Sequence, residues 1–322
     1  MGYNNLLLVE GSDMCGKTFI CEIIKEITAL DTTGPSSIDG MNYKYYKFPR
    51  YDKTFGSDIL QHLKRFNPNS KSVFEEREVI SNKLIINKIN GLNNITYEIR
   101  ESENPLAVFD RFTMSQLIYD LAWLSNKKFK KHVPNIKDYF DIKNQYAALV
   151  YCMYEGALLP NTLIKTVYCK KSIYIKCISS LHNENRRVDA YDKNTLYQDV
   201  VNLLFDYIYC GRVALPPSSF KKETVQIMYE LLEIITSSRD GYIGDKCEKY
   251  VSVIDTDKMY ANIYRDIGLV GLANAILDGD EKNIKCFLSN KDNEKVIDIA
   301  KSRYVRDIKE FLKSVITDKG EK

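Results

Sequence analysis

The chain has 322 residues, enough for one large domain or for a core with an appendage. Its 46 Lys and Arg residues nearly balance its 43 Asp and Glu residues, so the formal net charge of +3 gives no reason to expect nucleic-acid binding. Eight cysteines without a CxxC pair, and only three histidines, argue against a zinc site and a disulfide framework. No apolar run approaches the roughly 18 residues of a membrane span, and no leader pattern opens the chain. We therefore expect a cytoplasmic protein (host cytoplasm if the source is viral) with reduced thiols and no membrane partner.

Short apolar runs, each followed by a helical pattern, recur along the first 267 residues. The predicted strands are residues 6–9, 43–48, 106–109, 163–169 and 250–254, and the helices that follow them are residues 17–30, 57–65, 114–124, 172–179 and 258–267. Nearly continuous apolar strands that alternate with helices are typical of a parallel sheet covered on both faces. The pattern predicts an α/β fold with a five-stranded parallel sheet flanked by helices.

Further helical patterns lie between and after these units. They cover residues 73–90, 138–158, 189–210, 268–278 and 294–315. We divide the chain into a core, residues 1–267, and a helical C-terminal extension, residues 268–322.

The first predicted strand and helix are joined by a segment that matches the phosphate-binding pattern GxxxxGK[ST] at every fixed position. Its residues are Gly11, Ser12, Asp13, Met14, Cys15, Gly16, Lys17 and Thr18. The glycines allow a tight turn, and the N–H groups at the start of the helix then face an anion. We expect this loop to bind ATP, with Lys17 on the β- and γ-phosphates and Thr18 on Mg²⁺. The context predicts a three-layer P-loop NTPase fold.

Three further charged segments lie where they can join this loop. Phe48-Pro49-Arg50 ends the second predicted strand, Asp110-Arg111 ends the third, and Arg186-Arg187 precedes a helix. In open α/β sheets, ligands bind outside the carboxyl ends of the strands, so these segments can converge on one crevice. Two phosphorylated substrates that meet there need several cations. The sequence offers Lys17, Arg50, Arg111, Arg186 and Arg187, while Asp13 and Asp110 are placed to hold a metal ion or a ribose hydroxyl.

Taken together, these segments resemble the thymidylate kinase family of nucleoside monophosphate kinases. The resemblance covers roughly residues 5–267 and rests on Asp13 in the phosphate loop, on the Phe-Pro run at 48–51, on residues 110–119 and on the Arg-rich run at 186–192. It implies ATP-dependent phosphorylation of a deoxynucleoside monophosphate, most simply dTMP to dTDP, by in-line transfer with Mg²⁺. It also implies small-molecule nucleotides as partners, a homodimer, and a lid around residues 171–189.

The resemblance assigns roles residue by residue. Asp13 would contact the 3′-hydroxyl of the acceptor or the metal, and Arg111 would clamp the phosphates of both substrates. Arg186 and Arg187 would act as cations of the lid, because Met14 stands where some family members carry an arginine. The resemblance places Phe48, Pro49 and Arg50 in the acceptor segment, Ser115 and Gln116 at the base, and Tyr119 at the ribose 2′ position. From their positions after the first and third strands, we assign Thr18 and Asp110 to the metal.

The acceptor pocket departs from the family pattern in one segment. The family stacks the base on a Phe a few residues before an Arg, whereas Val79 and the run Ser81-Asn82-Lys83 stand here. We assign Asn82 and Lys83 to acceptor binding, although valine offers no aromatic face and lysine lacks the planar fork of arginine. The base preference is therefore open.

Two other functions remain open on the sequence. A deoxynucleoside kinase, or a broad-specificity deoxynucleotide kinase, would suit Glu10 as a base near a sugar hydroxyl. A nucleotide-binding interaction protein with decayed catalysis would explain the missing aromatic residue. Structural alternatives also stand beside several residues: Tyr119 as core packing, Phe48-Pro49 as a strand terminator, and Arg186-Arg187 as surface charges.

Overall fold

The computed structural model describes residues 6–12, 15–29, 42–47, 79, 82, 86, 105–111, 115, 118–119, 122, 171–176, 195–210 and 251–317. The strands are β1 (Leu6–Glu10), β2 (Asn42–Lys47), β3 (Pro105–Asp110), β4 (Lys171–Lys176) and β5 (Val251–Asp255). The helices are α1 (Lys17–Ala29), α2 (Thr195–Cys210), α3 (Thr256–Asp266), α4 (Val270–Asp278), α5 (Glu281–Ser289) and α6 (Glu294–Thr317), with a 3₁₀ turn at Lys291–Asn293 between the last two.

The strands form one parallel sheet in the order β2-β3-β1-β4-β5. In the register, Leu7 of β1 lies opposite Val108 of β3 on one side and Lys171 of β4 on the other. The first strand of the chain is therefore interior, where the hydrogen-bonding edges on both of its sides are used. The prediction of a mixed α/β fold with a parallel sheet and flanking helices is confirmed.

The two faces of the sheet pack against different helices. Leu7 and Val9 belong to the core that β1 shares with α1, whereas the intervening Leu8 is buried outside that core. The second face meets α2, where Tyr174 of β4 stacks on Phe205 with ring centroids 6.2 Å apart. Alternation along each strand thus decides which layer a side chain joins.

The sequence interpretation is wrong at the fourth strand. Residues 172–179 were expected to be a helix, but Lys171–Lys176 is β4, and its residues Ile173, Tyr174 and Ile175 are all buried. Its β-branched and aromatic side chains fill positions between β1 and β5, where both faces of the sheet are covered. Residues 171–176 of the predicted lid segment are therefore part of the sheet, and its remainder, residues 177–189, lies outside the described residues.

The C-terminal helices pack into the same core as α1. Ala300, Ile308 and Leu312 of α6 are buried in the cluster that contains residues of α1 and β1. The predicted helices at 268–278 and 294–315 correspond to α4 and α6. The sequence interpretation missed α5, because Gly279 ends α4 with a left-handed φ of 68° and Asp280 begins α5 as its N-cap at the very next residue.

The described residues within two other predicted helices are helical. They are residues 79, 82 and 86 within 73–90, and residues 115, 118, 119 and 122 within 114–124. The predicted helices at 57–65 and 138–158 and the predicted strand at 163–169 lie outside the described residues.

Candidate functional site

The loop between β1 and α1 has a backbone that only glycine fits at its first position. Gly11 has a φ of +146°, and a Cβ built there would lie 2.6 Å from Cys15 Sγ and 2.7 Å from the carbonyl oxygen of Ile175. The second contact is with the backbone of β4, which cannot easily move. Gly16, with a φ of +94°, stands just before α1. The two fixed glycines of the sequence pattern are therefore the residues that let the chain turn here.

The side chain of Lys17 forms hydrogen bonds with the backbone of this loop. Its Nζ donates hydrogen bonds to the carbonyl oxygens of Gly11, at 3.0 Å, and of Ser12, and it lies 3.4 Å from Cys15 Sγ. The side chain is buried, with 6% of its surface exposed. A buried ammonium group that bonds to main-chain oxygens is a cation whose partners an anionic ligand can replace. Asp13 and Met14, the middle of the loop, lie outside the described residues.

The first turn of α1 follows directly. The helical hydrogen-bond ladder starts with Ile20 N–H, which donates to the carbonyl oxygen of Gly16 at 3.0 Å. The preceding N–H groups lie at the N-terminal end of the helix dipole, beside the Lys17 ammonium. Thr18 is exposed in this first turn. Positive charge is therefore concentrated at one end of α1.

The end of β3 lies beside this loop, as the sequence predicted. Asp110 is in register with Val9, and Arg111 N–H donates to the carbonyl oxygen of Val9 at 2.9 Å. Arg111 has a φ of 71°, which makes it the one non-glycine residue with positive φ in the described part of the chain. Non-glycine residues with such strained backbones cluster at functional sites.

Asp110 and Thr18 have the donor chemistry that Mg²⁺ prefers. Both supply oxygen, and Mg²⁺ is commonly held by one or two carboxylates together with the phosphates of a nucleotide. Asp110 is nearly buried, and its Oδ2 accepts a hydrogen bond from the hydroxyl of Tyr45 at 3.2 Å. Within the described ranges no three His, Cys, Asp or Glu residues form an all-protein metal site. The residues present fit a metal that arrives with a nucleotide.

Glu10 and Ser115 lie together in the interior, next to the loop. Both are fully buried, and Ser115 Oγ donates a hydrogen bond to Glu10 Oε2. The bond ties the residue before Gly11 to the helix after β3. The expected role of Ser115 at the base of the acceptor stays a prediction.

Tyr119 belongs to an aromatic cluster that Arg111 covers. Its ring packs edge-on against Phe205 of α2, with centroids 6.1 Å apart, and the guanidinium carbon of Arg111 lies 5.4 Å from its centroid. Tyr119 is 8% exposed. Stacking on the ring holds the cation of Arg111 close to the end of β3. Tyr119 is thus packed against aromatic side chains in the interior. Its expected role at the ribose remains a prediction.

A charged cluster at the end of β4 escaped the sequence analysis. Asp206 of α2 accepts hydrogen bonds from Tyr174 and Lys176, both at 2.7 Å, and is almost completely buried. Burial lowers the pKa of Lys176, but the charge and hydrogen bond of Asp206, together with the weaker effects of Asp255 and Cys210, outweigh it, so that the pKa lies above its usual value. Burial, followed by the Asp206 carboxylate, raises the pKa of Tyr174 well above its usual value. The sequence signal that could have revealed this cluster was Asp206 itself, the one acid in the apolar run at residues 200–210.

The remaining predicted site residues divide into two groups. Asn82 is helical and half-buried, and Val79, at the expected base-stacking position, is 52% exposed. Outside the described residues lie Asp13, Met14, Phe48, Pro49, Arg50, Lys83, Gln116, Arg186 and Arg187. Of the predicted constellation, the structure therefore brings together the loop between β1 and α1, Asp110 and Arg111.

None of the helices in the described part of the chain combines the length and apolar character that crossing a bilayer requires. No protein-family model matches the sequence, and a search of curated proteins finds no significant match.

Proposed function

We propose that this chain is a P-loop phosphotransferase that moves the γ-phosphate of ATP onto a deoxynucleoside monophosphate, with dTMP as the expected acceptor. The observation that carries the proposal is the closed loop between β1 and α1. There Lys17 is buried against the carbonyl oxygens of Gly11 and Ser12, at the N-terminal end of a helix. A buried cation beside N–H groups that start a helix suits a polyphosphate.

The strand order supports a P-loop NTPase fold. The chain leaves β1 towards β2 on one side of the sheet, and it leaves β4 towards β5 on the other. Adjacent strands with connections in opposite directions open a crevice at their carboxyl ends, and ligands of open α/β sheets bind in such crevices. Gly11 follows β1 at this point, against the carbonyl oxygen of Ile175 in β4.

The proposed chemistry needs positioning and charge neutralisation more than a strong base. An acceptor phosphate is already an anion at neutral pH, so in-line attack on the γ-phosphate requires no dedicated proton acceptor. Lys17 exchanges its bonds to main-chain carbonyl oxygens for bonds to phosphate oxygens. Arg111, held over Tyr119, contributes a second cation. Asp110 and Thr18 would hold Mg²⁺, which would neutralise part of the charge of the phosphates.

The buried Glu10 favours a phosphorylated acceptor over a nucleoside. A nucleoside kinase needs a base within hydrogen-bond reach of the sugar hydroxyl. Glu10 is fully buried and already accepts a hydrogen bond from Ser115. Its side chain therefore suits support of the loop better than deprotonation of a substrate. The preference for thymine and the arginine lid rest on the sequence resemblance described above.

The test is an assay of ADP release from ATP and Mg²⁺, with each deoxynucleoside monophosphate and each deoxynucleoside as acceptor. We expect the highest kcat/KM with dTMP. Faster turnover of deoxynucleosides would favour the nucleoside kinase, and tight nucleotide binding without turnover would favour an interaction protein. Lys17→Ala protein, purified in the same way, controls for contaminating kinases. If ATP neither binds nor is consumed, the proposal fails.

A further inference from the structure

Two tyrosines of β2 connect the phosphate-loop helix with Asp110. Tyr43 and Tyr45 stack with ring centroids 6.3 Å apart and an interplanar angle of 11°. The Tyr43 hydroxyl donates to the carbonyl oxygen of Cys21 in α1 at 3.0 Å. The Tyr45 hydroxyl donates to Asp110 Oδ2 at 3.2 Å. The two rings are neighbours, yet their hydroxyls have different partners.

The register explains why Tyr45 can reach this carboxylate. Tyr45 lies opposite Val108, and Lys47 lies opposite Asp110, so Tyr45 is one same-face step before Asp110 along the strands. Val108 belongs to the core shared with α1. By alternation, the side chain of Asp110 therefore points to the α1 side of the sheet. The phosphate-loop helix and the Tyr45 hydroxyl are on that same side.

An aspartate at the end of a strand needs such a partner if its carboxylate is to keep one orientation. The χ2 torsion of aspartate is broad, so the backbone and χ1 leave the carboxylate plane poorly defined. A hydrogen bond to Oδ2 restricts that rotation. The carboxylate oxygen is an acceptor, so the Tyr45 hydroxyl is the donor in this bond.

We propose that Tyr45 is a positioning residue that orients the Asp110 carboxylate towards a divalent cation carried by the nucleotide. This inference rests on the proposed function, because it assumes that Asp110 is a metal ligand. Hydrogen-bond partners of metal-binding carboxylates commonly change metal affinity or activity by about 10- to 100-fold when they are removed. Asp110 is buried, with 5% of its surface exposed, so the Tyr45 hydroxyl supplies a donor to a carboxylate that water reaches poorly.

The experiment compares Tyr45→Phe with Tyr43→Phe. Each variant removes one hydroxyl and keeps the stacked ring, but only Tyr45 contacts Asp110. The probe is Mn²⁺, whose binding to the complex of protein and ADP is measured by electron paramagnetic resonance. We expect Tyr45→Phe to weaken Mn²⁺ binding by about 10-fold and to raise the Mg²⁺ concentration for half-maximal turnover in parallel. Tyr43→Phe should leave both quantities within about twofold of the wild type, because the hydroxyl that it removes bonds to the carbonyl oxygen of Cys21 and the stacked ring is kept.

A purely structural role for Tyr45 predicts a different result. Both variants would then lower the urea midpoint of unfolding by similar amounts, and neither would change Mn²⁺ affinity. Equal Mn²⁺ affinity in wild type and Tyr45→Phe would overturn the inference. A second check uses Asp110→Asn: in that background Tyr45→Phe should have no further effect on Mn²⁺ binding, because the residues act through one contact.

The two proposals fail in distinguishable ways. If the wild type binds no nucleotide and turns none over, the proposed function is wrong. If the wild type is active and binds Mn²⁺ with ADP, but Tyr45→Phe matches it in both measurements, the inference about Tyr45 alone is wrong.

Discussion

The end of the sheet next to the β1–α1 loop and the C-terminal helices bury different kinds of side chain. At the loop, Glu10, Lys17 and Asp110 are buried although they are ionisable. In α6 the buried residues are mainly apolar, among them Ile308 and Leu312, and the charged side chains of that helix face solvent or the rim. Burying a charged group costs free energy unless partners compensate for it. We therefore expect the functional site in the region where ionisable side chains are buried.

The two regions also differ in backbone conformation. Gly11 adopts a conformation that no other residue fits, and Arg111 has a positive φ despite its side chain. In the C-terminal helices the left-handed Gly279 is an ordinary helix end. The regions nevertheless touch, because Lys309 of α6 pairs with Glu26 of α1 at 2.9 Å. Because the strained backbone and the buried charges lie beside the β1–α1 loop, we expect substitutions there to change catalysis. Substitutions in the C-terminal helices should change stability alone.

Lys17→Ala should produce the largest effect. Loss of the loop cation is expected to lower kcat/KM by about 10³-fold, which corresponds to about 4 kcal/mol of transition-state stabilisation. The measurement is steady-state ADP release with the preferred acceptor. Lys25→Ala, an exposed lysine on the same helix, is the matched control and should retain activity. Similar activity in both variants would remove the loop from the mechanism.

Gly11→Ala should lower the free energy of unfolding by about 3 to 4 kcal/mol, since the new Cβ meets the backbone of β4 and the φ is unfavourable. Urea unfolding followed by circular dichroism gives the value. The contrasting substitution is Gly271→Ala in α4, where a Cβ meets nothing within 4 Å. That variant should be neutral or slightly more stable. Equal stability of the two variants would show that the loop backbone is not as constrained as described.

Ile308→Ala should lower the free energy of unfolding by about 3 kcal/mol, because it removes a fully buried side chain from the core between α6 and α1. Ile299→Ala, on the same helix but 51% exposed, should change it by less than about 0.5 kcal/mol. Turnover per folded molecule should stay at the wild-type value in both. A selective loss of turnover in Ile308→Ala would mean that the C-terminal helices affect the functional site. It would contradict the expectation that they affect stability alone.

Lys309→Ala should have the smallest effect, about 0.5 kcal/mol of unfolding free energy. Its ion pair with Glu26 is partly exposed and therefore weakened by water and salt. Unfolding in urea at low and at high salt measures the pair, and the difference from the wild type should shrink at high salt. Lys301→Ala, more exposed and paired at 3.7 Å within α6, serves as the control and should differ less. A loss above about 2 kcal/mol for Lys309→Ala would show that this contact holds the two regions together.

The sequence by itself determined the alternation of strands and helices and the position of the glycine-containing loop between β1 and α1. These follow from local rules: apolar periodicity gave β1, β3, β5 and α6, and the pattern from Gly11 to Lys17 requires a turn whatever surrounds it. Asp110 and Arg111 were expected beside the loop because parallel strands end at one edge of the sheet. The register of Asp110 with Val9 agrees with that expectation.

Only the tertiary structure decided which strand neighbours which and which polar groups meet. The strand β4 was misread as a helix, because its place between β1 and β5 depends on pairing with distant residues that no local pattern reveals. The bonds of Tyr45 to Asp110, of Ser115 to Glu10 and of Lys176 to Asp206 likewise join residues at least 30 positions apart. Such contacts depend on how the layers pack, since a side chain finds its partner only after alternation and register have placed both on the same face.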